Sequence, residues 1–311
     1  SVRLRGVRAV SLACGKALPA CVYDPLGNRS LPVPKEYCFT SLNGVTCKTC
    51  ERGARHYYEG SPINLGFFNE FYLASDLGRA SSIVDGLASE HYGEFVYKDI
   101  HVGEHAHASA LRALGRGTLQ DDPFHVWLLR RQLISAIVVT DLTERALDTY
   151  RPRRVMAVHG IYVDHGTACE VARRMGYPIV VYSVPYRRDT IMLCHGDTYH
   201  KALVTEPPAL WDDLELTPAM SERLDAYVSG RQSGKQDSIT YHPNPIEEQS
   251  ALAAELNLNS DKPIVSMFTN VIWDAQLYHS YNAFENILDW LFQTVDHFSE
   301  RSDVQLVIRI H

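Results

Sequence analysis

Seven consecutive residues, Cys194 to His200 (CHGDTYH), set a thiol, two imidazoles, a carboxylate and a phenol beside a glycine. Such a group can bind a metal, move protons, or simply turn the chain into a helix. Asp197 stands where a helix N-cap belongs, and His200, three residues on, falls in the first turn. No second motif of metal-ligand spacing accompanies the stretch, so a closed metal site is not expected. His195 is left as a candidate acid or base, with Asp197 either capping the helix or orienting an imidazole. The thiol of Cys194 is expected to be buried.

A second candidate is His159, which ends the apolar run RVMAVHG and is followed by Gly160. The glycine lets a ligand come close to the backbone. A third group is the cysteines near the start. Cys47 and Cys50 form a CxxC, and Cys14, Cys21 and Cys38 could supply further thiolates. Structural zinc on Cys21, Cys38, Cys47 and Cys50 is one reading, and reduced, unliganded cysteines are the other.

These residues need elements to position them. Residues 7–14 read as a strand and residues 15–55 as loop. Residues 62–150 carry helical spacing, as in HASALRALGRG and PFHVWLLRRQLISAIVVTDLTERALDTY. RVMAVHG, TACEVARRMG and PIVVYS then read as strand, helix and strand, a βαβ unit with parallel strands. TYHKALVTEP reads as a short helix. TPAMSERLDAYVSGR reads as another, with Thr217 as cap and Pro218 at its first position. GRQSGKQDS has the composition of a linker, and NPIEEQSALAAEL reads as a helix capped at Asn244. PIVSMF, an amphipathic helix over 282–299, and VQLVIRI form a second βαβ unit.

The fold expected is α/β with two doubly wound, Rossmann-like domains, over residues 1–235 and 236–311, the second incomplete. The opening residues read as a helix end and the closing ones as an interrupted strand, so the chain is expected to be truncated at both ends. In open parallel sheets ligands sit beyond the carboxyl ends of the strands. That rule selects His159, Tyr186, Arg187 and Arg188 in the first domain, and Thr269, Asn270 and His311 in the second. Thr269, Asn270 and the following amides suit phosphate oxygens, and Arg309 or His311 adds positive charge.

The 311 residues carry a formal charge of -7, which argues against nonspecific nucleic-acid binding. No apolar run reaches the roughly 20 residues a membrane helix needs. Seven cysteines, an odd number, do not form a secreted disulfide framework, so a reducing cytoplasm is expected.

FTNVIWDAQLYHSYNAFENILDW followed by VQLVIRIH resembles a group of bacterial capsule and surface-polysaccharide biosynthesis proteins, read as glycosyltransferases. LACGKALPAC…CKTC, HGIYVDHG and CHGDTYH look like the N-terminal half of the same group. The resemblance spans nearly the whole chain. It implies a two-domain GT-B fold, with the acceptor on the first domain and the nucleotide-sugar on the second. It also implies metal-independent transfer to a glycan or lipid-linked glycan acceptor, beside membrane assembly machinery at the inner face of the cytoplasmic membrane. In similar transferases a His-Pro pair ending the strand that corresponds to LVIRIH contacts the donor phosphate. His311 matches that histidine, and no proline follows it here.

The expected roles are then specific. His195 or His159 acts as base, with Asp197 as orienter. Thr269, Asn270, Asp274, Arg309 and His311 hold the donor. Tyr186, Arg187 and Arg188 meet an anionic acceptor or donor group. Two rival readings are a nucleotide-sugar epimerase of the same architecture and a noncatalytic, zinc-stapled scaffold subunit of a polysaccharide assembly complex.

Overall fold

The computed structural model describes residues 6–23, 47–232, 237, 248–275, 277 and 282–311. The chain is mixed α/β and divides into two compact units. Unit 1 comprises Ser1–Val180 and Ile272–Ala283, and unit 2 comprises Val181–Val271 and Phe284–His311. The chain passes from unit 1 to unit 2 at Val180/Val181, and the expected 235/236 boundary lies outside the described residues.

Unit 1 opens with β1 (Val10–Ala13), then α1 (Cys47–Tyr58) and β2 (Asn64–Phe67). β1 and β2 pair in parallel, Val10 opposite Asn64 and Ala13 opposite Phe67. Two expectations are corrected here. Residues 47–55, read as loop, are helical, and residues 64–67, read within a helical region, are a strand. NLGF is too short and too mixed to announce itself, and its neighbour β1 supplies the hydrogen bonds that make it a strand. At Gly66 a Cβ would stand 2.7 Å from the Tyr150 hydroxyl, so the close approach needs glycine.

Helices α2 (Asp76–Asp85), α3 (Val102–Leu114) and α4 (Pro123–Tyr150) follow, as the helical spacing predicts. α4 starts sharply because the Asp122 side chain accepts hydrogen bonds from the amides of Phe124 (2.9 Å) and His125 (3.1 Å), with Pro123 at the first position. Every residue of α4 from Arg131 to Thr143 is buried. A helix buried all round is the centre of a core. α2, α3 and α5 (Gly166–Arg174) pack on it. β3 (Val155–Val158) precedes α5, and the Val155 amide donates to Pro178 O (3.0 Å) beside the start of β4 (Ile179–Ser183).

In unit 2 the end of β4 neighbours β5 (Met192–His195). The first half of CHGDTYH is thus a strand end, which puts His195 at the end of a strand as expected. α6 (Tyr199–Thr205), α7 (Pro218–Gln232) and α8 (Gln249–Glu255) come next. Thr217 caps α7 as expected, accepting from the Met220 amide (3.3 Å). α8 begins after Glu248, whereas Asn244, the expected cap, lies outside the described residues. β6 (Ile264–Phe268), α9 (Ile287–Ser299) and β7 (Gln305–Arg309) close the chain. β6 and β7 are parallel neighbours, Phe268 opposite Arg309, as the second βαβ reading requires. Asn286 caps α9, accepting from the Asp289 amide (2.9 Å), so this helix starts five residues later than its spacing implied. Among the described residues no helix is long and apolar enough to cross a membrane.

Candidate functional site

In unit 1 the chain leaves β3 through a sharp bend. His159 has φ 55° and Gly160 has φ 69°. The Gly160 amide donates to Val158 O at 2.6 Å, closing a three-residue turn around His159. A positive φ on a non-glycine residue in such a turn is uncommon and costs about 1–3 kcal/mol, so the surroundings must impose it.

One face of α3 supplies those surroundings. His105, Ser109 and Arg112 are spaced four and three residues apart, one side of a helix. His105 Nδ1 donates to Ile161 O, which fixes the proton on that nitrogen, since a carbonyl only accepts. Ser109 Oγ accepts from the Val163 amide at 2.9 Å. Arg112 Nη1 donates to the Tyr162 hydroxyl at 2.8 Å. Three bonds from one helix face thus grip the three successive loop residues Ile161, Tyr162 and Val163.

The Tyr162 hydroxyl is also bound by the segment after β6. It donates to Asp274 Oδ1 and accepts from the Ala275 amide at 3.3 Å. Arg112 reaches the same carboxylate at 3.1 Å, and its guanidinium lies 4.5 Å from the Tyr162 ring centre and 5.2 Å from that of Trp273. Ala275 and Leu277 pack against Ala108, Ile161 and Tyr162. Burial, together with donation to Asp274, pushes the Tyr162 phenol up to about 12.

The electrostatics around the loop separate its two histidines. Burial pushes His159 below the ordinary imidazole value, with Asp274 opposing and Arg112 reinforcing the shift. Burial would lower His165 as well, but the carboxylate of Asp164, 3.1 Å away, lifts it above the ordinary value. Asp164 in turn is held low: burial would raise it, and the charge of His165 together with hydrogen bonds from His165 and the backbone outweighs that. His159 therefore favours the neutral form near pH 7, the state a general base needs.

Unit 2 carries the other expected residues. Because β6 and β7 are parallel, their carboxyl ends lie at one edge. There the Thr269 amide donates to Arg309 O (3.0 Å) and the His311 amide donates to Thr269 Oγ1 (3.0 Å). Asn270 beside them is exposed. Asp274, expected with this group, belongs to unit 1, against Arg112 and Tyr162. His195 is exposed at the end of β5. The expected capping role of Asp197 belongs to Thr198, whose hydroxyl accepts from the Lys201 amide (3.5 Å). Asp197 accepts from the Thr198 amide and pairs with Lys201, both at 2.8 Å, and the rings of Tyr199 and His200 lie 4.1 Å apart. Burial raises the Cys194 thiol.

Tyr186, Arg187 and Arg188 are joined by two residues of α7. The Arg231 guanidinium stands over the Tyr186 ring (5.4 Å) and Arg187 over the Tyr227 ring (5.5 Å). Arg188 Nε donates to Asp237 O at 2.8 Å, and Arg231 Nε meets the Asp237 carboxylate at 3.2 Å. Three guanidinium groups thus surround two phenol rings and one carboxylate, leaving net positive charge.

Cys47 and Cys50 sit in the first turn of α1, Cys21 is half-buried, and Cys38 lies outside the described residues. Cys14 follows β1, and burial raises its thiol. Among the described residues no group of three or more His, Cys, Asp or Glu could hold a metal ion.

Arg112, Tyr162 and Trp273 were not selected from the sequence, and neither were Tyr227 and Arg231. The spacing of His105, Ser109 and Arg112 was a readable signal, since it lines polar groups along an otherwise Ala- and Leu-rich helix face. No family model, curated protein or solved structure matches this chain.

Proposed function

We propose that this chain is a metal-independent glycosyltransferase of GT-B type, with Rossmann-like units, that moves a sugar from a nucleotide-sugar to a surface-glycan acceptor at the inner face of the cytoplasmic membrane. The observation that carries the reading is the parallel β6–β7 pair, whose carboxyl edge joins Thr269 to His311. That edge is where an α/β sheet takes its ligand.

In an inverting transfer, an acceptor hydroxyl oxygen bonds to the anomeric carbon as the bond from that carbon to the phosphate oxygen breaks. The bonding pair leaves with the nucleotide phosphate, and the hydroxyl proton passes to a base. Asn270, Arg309 and His311 are the groups for the developing phosphate charge. His159 is the base favoured here, because its burial keeps the imidazole neutral. His195 stands exposed at the end of β5. The arginines 187, 188 and 231 suit an anionic group on the acceptor or donor.

A thermal-shift screen of the full-length protein against UDP-, GDP-, CMP- and dTDP-sugars tests the reading. A ligand that binds only the native state raises its stability. One nucleotide class should raise the midpoint, and Asn270→Ala should abolish that rise. No shift with any nucleotide-sugar, in protein shown to be folded, overturns the reading.

A further inference from the structure

The bend at His159 is strained, and its own residues do not explain why it persists. The pair His159-Gly160 lies outside any strand or helix, and the bond from the Gly160 amide to Val158 O closes the turn without relieving the positive φ of His159. What borders the loop is α3 on one side and the stretch Trp273–Ala275 on another, and the two meet at the Tyr162 hydroxyl.

The Tyr162 hydroxyl is used in full. The hydroxyl donates once, to Asp274, and accepts twice, from Arg112 and from the Ala275 amide. The Asp274 carboxylate takes the phenol and Arg112 on the same oxygen. Tyr162 is 4% exposed, so its hydroxyl could not be left unpaired without cost. Arg112 is held between the ring of Tyr162 and that of Trp273, which leaves its guanidinium little freedom to swing away. Tyr162 is three residues from His159, inside the same loop, so a fixed phenol fixes the exit of the bend.

We propose that Asp274 is a positioning residue: acting through Tyr162 and Arg112, it locks the loop from His159 to His165 in its bent form and so sets where the His159 imidazole stands. The charged and titratable groups that bear on this imidazole are Asp274, Arg112, His165 and Asp164. The consequence for transfer rests on the glycosyltransferase reading. The lock itself does not, and it can be tested with no substrate present.

The experiment is hydrogen exchange by mass spectrometry on the full chain, comparing wild type with Asp274→Ala, Asp274→Asn and Tyr162→Phe. Asp274 is almost half exposed, so its replacement leaves the core packing intact. Exchange in residues 159–165 should speed up by about tenfold in Asp274→Ala and in Tyr162→Phe, while residues 134–142 of α4 keep wild-type protection. Asp274→Asn retains an acceptor for the phenol and should fall between wild type and Asp274→Ala.

The second readout is the titration of the His159 ring carbon by NMR in Asp274→Asn. Removing the carboxylate while Arg112 stays should move the midpoint to lower pH, a shift that a purely structural contact would not produce. Unchanged exchange in residues 159–165 in both Asp274→Ala and Tyr162→Phe overturns the lock. An unmoved His159 midpoint in Asp274→Asn overturns the effect on the imidazole. If the nucleotide-sugar screen fails while the loop loosens as described, the transfer reading falls and the lock stands.

Discussion

Arg145 grips Asp76 with two parallel hydrogen bonds, Nη1 to Oδ2 at 2.8 Å and Nη2 to Oδ1 at 2.7 Å, across 69 residues of chain. The carboxylate is 1% exposed and is also met by Arg79 (3.1 Å) and the Leu73 amide (2.8 Å). This pair fastens α2 to the C-terminal part of α4, and α4 is the element from which the unit-1 site hangs.

Only the carboxylate of this group is fully buried: Arg145 is part-exposed, and Arg79 keeps its bond to Asp141. Asp76→Ala should therefore cost about 1–3 kcal/mol in urea denaturation at pH 7. Burial alone would raise the Asp76 carboxyl, but Arg145 and the Leu73 amide hold it below the usual range. A carboxyl depressed on folding stabilises fully above its unfolded value of about 3.9, and that contribution is lost as the pH falls through the folded value. The gap between wild type and Asp76→Ala should thus be full at pH 6 and shrink below pH 4. An equal gap at both pH values would reject this role for the carboxylate.

The half-buried imidazoles of unit 1 predict a separate effect nearer neutrality. Burial lowers both His107 and His159. Each contributes stability that is full above the unfolded value of about 6.5 and is lost as the pH falls toward the folded value. His165 acts in reverse, because Asp164 raises it: its contribution is full below about 6.5 and is lost as the pH rises through the folded value. His107→Gln should therefore flatten the fall in denaturation midpoint between pH 7 and 5.5, and His165→Gln should flatten the fall on the alkaline side. In a transfer assay the acid limb of the rate should lie below pH 6.5 if His159 is the base.

The elements that were legible are those whose pattern is enforced by burial. PIVVYS and PIVSMF are apolar runs opened by proline, VQLVIRI follows the polar stretch SERSD, and all three are strands in the folded chain. β2 and β5 were not legible, since NLGF and MLCH owe their conformation to a neighbour and not to their own side chains. The strand-end rule found His159 and Thr269 because it depends on order along the chain. It could not find the bonds from Arg112 and Tyr162 to Asp274, which span 162 and 112 residues and leave no local trace. The expected donor group placed Asp274 with Thr269, whereas the chain crosses between units at Val271/Ile272.

Gly166 begins α5 directly after the loop, at a point with no room for a side chain. A Cβ there would come within 2.5 Å of the Ile161 carbonyl oxygen and would run into the His105 ring. The ring cannot retreat without giving up its bond to that same carbonyl. Gly166→Ala should destabilise unit 1 by about 1–3 kcal/mol through overpacking. It should also release the loop, so the His159 resonance should broaden or move. Wild-type stability together with an unmoved resonance would show that the loop yields where it is taken to be rigid.

The thiols give a prediction that discriminates between reduced cysteines and a zinc staple. Cys50 is exposed on the first turn of α1, while Cys169 is 2% exposed and Cys14, just after β1, is half-buried with its thiol raised by burial. Alkylation needs both access and the thiolate, so a raised thiol reacts slowly even when reached. Brief iodoacetamide treatment of the native protein at pH 7.5, followed by peptide mapping, should label Cys50 first and leave Cys14 and Cys169 unlabelled until urea is added. Zinc bound at the CxxC would reverse that order for α1, because a metal-bound thiolate is shielded and Cys47 and Cys50 would be protected together. Protection of both that disappears on adding a chelator, with one equivalent of zinc by elemental analysis, would move the assignment from free thiols to a structural metal site completed by Cys21 and Cys38.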